Sequence, residues 1–277
     1  MIKSRNRAAN LIIHVFLAAS CVVFLFPIVW MALTSMKGNA EILKSPPTFL
    51  PEKFDFGKYA YLLFSDKFYC RFFMNSIIVA GIGTVVSTID SMAAGFCFAK
   101  IRFRGSRLLF FVILSTLMIP FESYMIPLFN ISVKLKLLNT YAGLIFPIIV
   151  SSFGIFLMTQ YMQTIPDEMI EAARIDGASI WRIFFTIITP LSISSIMLLA
   201  IFQFMTAWGD FIWPLIITKS QNMYVMELGL TKYRGQFDID YSLLMSACMM
   251  AITPVLIVFL FFRRYIIEST VMTGIKA

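Results

Sequence analysis

The stretch TIPDEMIEAARIDGASIWRIFFTIITPL, residues 164–191, decides how the rest of the sequence is read, because it is a polar interruption in an otherwise apolar chain. Pro166 suits a first helical position, Asp167 and Glu168 favour the positive end of a helix dipole, and Gly177 suits a left-handed stop. Together they predict a helix of about ten residues ending near Asp176. On it, Ala172 and Ala173 offer a shallow face for close approach by another protein, with Glu171, Arg174 and Asp176 at its edge for charge-assisted contacts. A second helix is expected to start near Ser179 and run through Trp181, Ile183, Phe184, Ile187 and Ile188 into Pro190. Residue types alone leave two readings of this elbow open: a docking element, or an interfacial helix with no partner.

The flanking sequence supplies the setting. The 277 residues are 59% hydrophobic and 14% charged, against about 25% charged in soluble domains. A bilayer core of about 30 Å needs roughly 20 apolar residues per helix. Six runs meet that length, at 11–35, 73–97, 108–131, 141–163, 190–217 and 242–262. The expected fold is therefore an all-α integral membrane protein of six transmembrane helices. Lys3, Arg5 and Arg7 precede the first run as they would in a secretory signal. That run is nonetheless about twice the usual apolar length and lacks a small-x-small cleavage site, so it reads as a retained anchor. The 23 Lys and Arg divide almost evenly between the two sides. The dense short groups decide orientation: the N-terminal three, and Lys100, Arg102, Arg104 and Arg107 after the second run, place both termini in the cytoplasm. The elbow then lies on the same side.

Several classes of function fall away. The net charge of +8 is spread singly or in juxtamembrane groups, with no stripe or soluble module to present it to nucleic acid. Cys21, Cys70, Cys97 and Cys248 have no paired spacing, and His14 is the only histidine, so a disulfide framework, a zinc site or histidine-based catalysis is not expected. No G-x-x-x-x-G-K-[ST] phosphate loop occurs. Residues 36–72, with Pro46, Pro47, Pro51 and several aromatics, read as an extracellular loop at the membrane surface. Pro27, Pro120, Pro127, Pro147, Pro214 and Pro254 punctuate the runs, shaping the bundle or hinging it.

Glu171-Ala172-Ala173, Asp176-Gly177-Ala178, Phe184, Ile187 and Pro190-Leu191 resemble, at their fixed spacings, the EAA motif of binding-protein-dependent ABC import permeases. The resemblance covers most of residues 70–277. Asn75-Ser76, Arg102-Phe103-Arg104-Gly105, Met118-Ile119-Pro120 with Glu122, Ile126-Pro127-Leu128, Trp208 through Trp213-Pro214-Leu215, and the ending Gly274-Ile275-Lys276-Ala277 look like the carbohydrate (maltose-type and multiple-sugar) branch. Thr189, Ser194 and Gly209 depart from that pattern, where Leu, Pro and Asn are usual. The resemblance implies a permease core over 70–264 between the anchor at 1–35 and a cytoplasmic tail at 265–277. It also implies that 164–191 forms a coupling helix seated in an ATPase subunit, with Glu171, Ala172, Ala173, Asp176, Gly177 and Ala178 making the dock.

The same resemblance implies four partners: a second homologous permease, an ATPase dimer that holds ATP-Mg, an extracellular solute-binding protein, and a sugar. No cofactor is expected on this chain, and the surrounding solvent is bacterial inner-membrane lipid. Within the spans, Asp90, Glu122 and Asp210 are carboxylates whose cost in lipid, roughly 2.5–3.5 kcal/mol at a helix centre, requires them to face protein or water. Asn75, Glu122, Trp208, Asp210 and Trp213 are candidates for the substrate pathway, although residue types alone favour bundle pairing of the carboxylates and interface anchoring of the tryptophans. Ser220, Gln221, Asn222 and Met223, in the loop 218–241, are candidates for contact with the binding protein. The competing expectations are the same class of permease for glycerol-phosphate, a polyamine or an amino acid, and a secondary transporter or channel.

Overall fold

The computed structural model describes residues 7–235 and 239–274; Lys3, Arg5 and the tail residues Ile275, Lys276 and Ala277 lie outside them. The principal helices are α1 (Arg7–Thr34), α2 (Tyr69–Lys100), α3 (Ser106–Thr116), α4 (Phe121–Lys134), α5 (Tyr141–Ile148) and α6 (Ser152–Gln163). They continue with α7 (Asp167–Ile175), α8 (Ile180–Leu191), α9 (Ile193–Trp208), α10 (Ile212–Ile217) and α11 (Tyr241–Gly274). No strand occurs among the described residues.

Three of the six predicted spans, in α1, α2 and α11, are continuous helices long and apolar enough to cross a membrane. The other three are broken, so the count reaches six only when each bent pair is one span. The predicted run 108–131 divides into α3 and α4, which meet at 101°. Pro120 is the cause: its backbone is extended (φ −64°, ψ 144°), and the residue before a proline is driven out of the helical region. The run 141–163 bends by 46° between α5 and α6, where the Ser151 hydroxyl caps α6 by accepting from the Gly154 amide at 3.0 Å. The run 190–217 is corrected at both ends. Its start belongs to α8, which turns by 79° into α9 at Ser192, and its end is cut off as α10 by a break after Trp208. Pro190 has no N–H to give, and the backbone widens into a π-turn over Phe184–Ile188, with the Thr189 hydroxyl donating to the Phe184 carbonyl at 2.8 Å.

The chain forms two compact units. The first comprises Met1–Asp66 and Leu230–Ile252. Along its α1, apolar side chains from Leu11 to Val29 stand exposed, Phe24 at 78%, so that surface needs lipid or protein as solvent. The segment expected as a surface loop is folded. Lys37 is buried, lies 5.2 Å from the Trp30 ring centroid and donates to the Thr48 carbonyl. Glu41 accepts from the Thr48 hydroxyl and the Glu52 amide, and the Asn39 side chain bonds the Ile239 carbonyl and the Tyr241 amide.

The second unit comprises Lys67–Gly229 and Thr253–Ala277. Its α2 packs against α6 through small residues: a Cβ on Gly154 would lie 2.3 Å from Ser91 Oγ, and one on Gly95 2.6 Å from Met158 Cβ. Helices that gain little from apolar burial in lipid associate through such close backbone approach. One core cluster joins Met92 and Phe96 of α2, Met158 and Met162 of α6, and Ile183, Phe184 and Ile188 of α8. A second joins Val79, Leu144, Trp213, Ile217, Val225 and Leu228.

Candidate functional site

The polar elbow is built from its capping residues. α7 has Asp167 and Glu168 in its first turn, and it ends in a Schellman motif. The Ala178 amide donates to the Ala173 carbonyl (2.9 Å), the Gly177 amide donates to the Arg174 carbonyl (3.0 Å), and Gly177 takes the left-handed φ of +77°. Ser179 then caps α8, its hydroxyl accepting from the Arg182 amide at 3.3 Å. Two fastenings hold the short helix. Ile170, 5% exposed, inserts into the first core cluster. At the other end, Lys100 Nζ donates to the Ile165 carbonyl and to Asp167 Oδ1, each at 2.6 Å. That hydrogen bond and the Lys100 charge, with Arg102 adding a smaller share, hold the Asp167 carboxyl below the usual carboxylate range.

The six expected docking residues separate into two groups. Glu171, Ala172, Asp176 and Gly177 are exposed. Ala173 and Ala178 are partly buried against the first core cluster, so Ala172 is the more open of the two neighbouring alanines. Glu171 lines an open groove of about 350 Å³ with Lys100, Arg102, Asp167 and Arg174, and it has no hydrogen bond or ion pair among the described residues. Ile175, 86% exposed at the end of α7, went unnoticed in the sequence, because an apolar residue in an amphipathic helix is expected to face inward.

A second site lies in the same unit. A cavity of about 420 Å³ is lined by Glu122 at the start of α4, Ser151 before α6, Gln203 and Thr206 on α9, and Asp210 in the break that follows. Its remaining walls are apolar, and no Lys or Arg lines it. Glu122 and Asp210 are thus brought together as candidates, whereas the other three pathway candidates are not. Trp213 is fully buried in the second core cluster, and its indole N–H donates to the Gly143 carbonyl at 2.8 Å. Trp208, 3% exposed, packs on Phe73 and Phe204. The Asn75 amide donates to the Asn222 and Tyr224 carbonyls at 2.9 and 2.8 Å while its oxygen accepts from Tyr141. The polar side-chain atoms of Trp213 and Asn75 are thus bonded inside the fold, and none of the three borders the cavity. Gln203 and Thr206 carry the signal that identifies the cavity wall: three residues apart, they share one face of α9.

The loop after α10 is held from beneath. Asn139 Oδ1 accepts from the amides of Lys219 and Ser220 and from the Ser220 hydroxyl, and Arg71 donates to the Asn222 carbonyl at 3.1 Å. Met223 packs inward, which leaves the side chains of Gln221 and Asn222 exposed.

Residues 91–270 match the family of binding-protein-dependent transport system inner membrane components. The chain is 33% identical over 256 residues to the arabinooligosaccharides transport system permease protein AraQ of Halalkalibacterium halodurans, spanning 92% of each chain. It is 30% identical over 281 residues to the sn-glycerol-3-phosphate transport system permease protein UgpE of Brucella abortus, spanning 99% of each. The fold is similar to that of a chain in a bacterial ABC transporter involved in the import of the acidic polysaccharide alginate, with a TM-score of 0.84 at 24% identity, over 96% of this chain and 99% of that one.

Proposed function

Because the chain belongs to the family of binding-protein-dependent transport system inner membrane components, we propose that this multipass membrane protein forms half of the translocation pathway of an ATP-driven importer for a neutral oligosaccharide. It is a transport component rather than an enzyme. The single observation that carries the choice of solute is the cavity at Glu122, Gln203, Thr206 and Asp210. Its amide, hydroxyl and carboxylate groups suit the hydroxyls of a saccharide, and two carboxylates with no cation oppose a phosphate or uronate. The relative named for an oligosaccharide therefore fits the cavity better than the relative named for glycerol-phosphate.

The elbow is the coupling element in this reading. Both termini and α7 face the cytoplasm; Glu171, Ala172, Asp176 and Gly177 seat in a separate ATPase subunit, and Ala173 and Ala178 position them. The ATPase dimer holds ATP-Mg and binds it better when closed. Its closure draws this elbow and that of a second permease together, biasing the bundle toward the outward-open state. On the opposite face, Gln221 and Asn222 contact the solute-binding protein. Deleting Ser220 to Met223 would also release the Asn139 and Asn75 tethers, so Gln221→Arg with Asn222→Arg is the cleaner probe: solute delivery falls while ATPase assembly is retained.

Reconstitution of the complete complex in vesicles tests the proposal. Uptake of labelled oligosaccharide that needs ATP, and that excess sn-glycerol-3-phosphate leaves unchanged, is the expected result. Accumulation without an ATPase subunit, or competition by glycerol-phosphate, overturns it.

A further inference from the structure

The polar side chains around the cavity of about 420 Å³ are unequally available to a solute. Three are engaged within the fold. The Ser151 hydroxyl accepts from the Gly154 amide at 3.0 Å, the Thr206 hydroxyl donates to the Phe202 carbonyl at 2.9 Å, and Asp210 Oδ1 accepts from the Trp213 amide of α10 at 3.4 Å. Glu122 and Gln203 also line the cavity, and they make no hydrogen bond or ion pair among the described residues. Gln203 is the telling case because it is only 8% exposed. Its side-chain amide carries two donor hydrogens and an acceptor oxygen, and burying them unmet is costly unless an occupant of the cavity meets them.

Phe121 supplies the contact that the polar groups do not. It is the one aromatic side chain among the described residues that line the cavity. Two neighbouring rings stand nearly perpendicular to it and hold it in place: Tyr124, with centroids 5.3 Å apart at 81°, and Trp213, at 6.2 Å and 87°. The face of an aromatic ring is partially negative, so it attracts the weakly positive C–H bonds along one side of a sugar ring. A saccharide can therefore satisfy all three side chains at once. It brings a C–H face for Phe121, neighbouring hydroxyls that give to and accept from the Gln203 amide, and a hydroxyl donor for the Glu122 carboxylate. A linear polyol lacks the flat face, and a phosphate ester sets anionic oxygens against Glu122.

We propose that Phe121, Glu122 and Gln203 form a subsite for one sugar ring of the transported oligosaccharide, with Phe121 as the stacking surface. Asp210, engaged with α10, borders this subsite without belonging to it. The proposal rests on the reading of the cavity as the solute site.

Equilibrium binding to the purified permease–ATPase complex in detergent, without binding protein or nucleotide, is the test. Tritiated arabinotriose, xylotriose, maltotriose and cellotriose are compared by scintillation proximity, and the tightest of them serves as the probe. Phe121→Leu should weaken the probe about tenfold with the number of sites unchanged, and Phe121→Tyr, which keeps the ring, less than about twofold. Gln203→Leu and Glu122→Leu should each weaken it about fivefold, and Asp210→Asn, which keeps an oxygen for the Trp213 amide, less than about twofold. Parental affinity in Phe121→Leu, or equal losses in Phe121→Leu and Phe121→Tyr, overturns the subsite. A fall in the number of sites in Phe121→Leu assigns the ring to folding and overturns it as well. No saturable binding by the parent complex overturns the subsite too, while ATP-dependent uptake of oligosaccharide in vesicles keeps the saccharide reading standing. Loss of both binding and uptake in the parent overturns both.

Discussion

Lys100 and Asp167 are joined at 2.6 Å, and because the same ammonium also donates to the Ile165 carbonyl, the last turn of α2 and the first turn of α7 form one hydrogen-bonded piece. The Lys100 side chain is 4% exposed and the Asp167 side chain 65%. Removal of the buried partner is therefore the more damaging change, since it frees a backbone carbonyl as well as a carboxylate. Lys100→Ala should lower ATP-dependent uptake at least tenfold, and Asp167→Asn only a fewfold. Equal effects would assign the fastening to charge alone.

The pH dependence of this joint has a definite sign. The folded-state carboxyl of Asp167 is held below its ordinary range, so its contribution is complete above that range and disappears as pH falls through the lowered value. Amide exchange over residues 164–175, corrected for intrinsic rates, should show constant protection from neutral pH down to the ordinary carboxylate range and lose it below. Lys100→Ala should remove the transition.

Glu171→Lys and Gly177→Asp should leave the chain in the membrane and abolish uptake. Nothing lies within 4 Å of a Cβ built at Gly177, so no internal clash confuses the result. A side chain in the left-handed conformation costs roughly 1–2 kcal/mol, and the remainder reports the docking surface. Co-purification of the ATPase subunit with each variant separates failed docking from failed movement.

At the α2 to α6 contact, Gly154→Val should destabilise the chain by about 1–3 kcal/mol through overpacking against Ser91 and Leu199. Thermal unfolding in detergent measures it. Ser91→Gly in the same chain should restore part of the loss, because Ser91 holds the two shortest contacts.

Gln203→Leu should weaken the oligosaccharide dependence of transport, raising the half-saturating concentration, while Trp213→Phe should lower thermal stability and leave solute preference unchanged. The contrast follows from position: Gln203 borders the cavity, whereas the Trp213 indole is committed to the Gly143 carbonyl. A change of solute preference in Trp213→Phe would return that ring to the pathway.

The apolar runs and the elbow were legible in the sequence because hydropathy, proline and glycine act locally. Pro166, Ser179 and Gly177 announce α7 and the start of α8 with their own backbone preferences. The broken spans were not legible: Pro120 and Ser192 turn the chain through angles set by what each arm packs against. The burial of the tryptophans was not legible either, because the acceptor of the Trp213 N–H is the carbonyl of Gly143, 70 residues earlier in the chain. Lys100 was visible only as one cation among four, and its two acceptors come from a segment about 65 residues later in the chain.

α2 is clasped at both extremities, by Ile165 and Asp167 near one and by the carbonyls of Asn222 and Tyr224 near the other. The clasps are ~38 Å apart on an unkinked rod. If the elbow couples and the far loop receives solute as proposed, such a strut would carry movement at either end to the other. Slackening either fastening should blunt traffic in both directions.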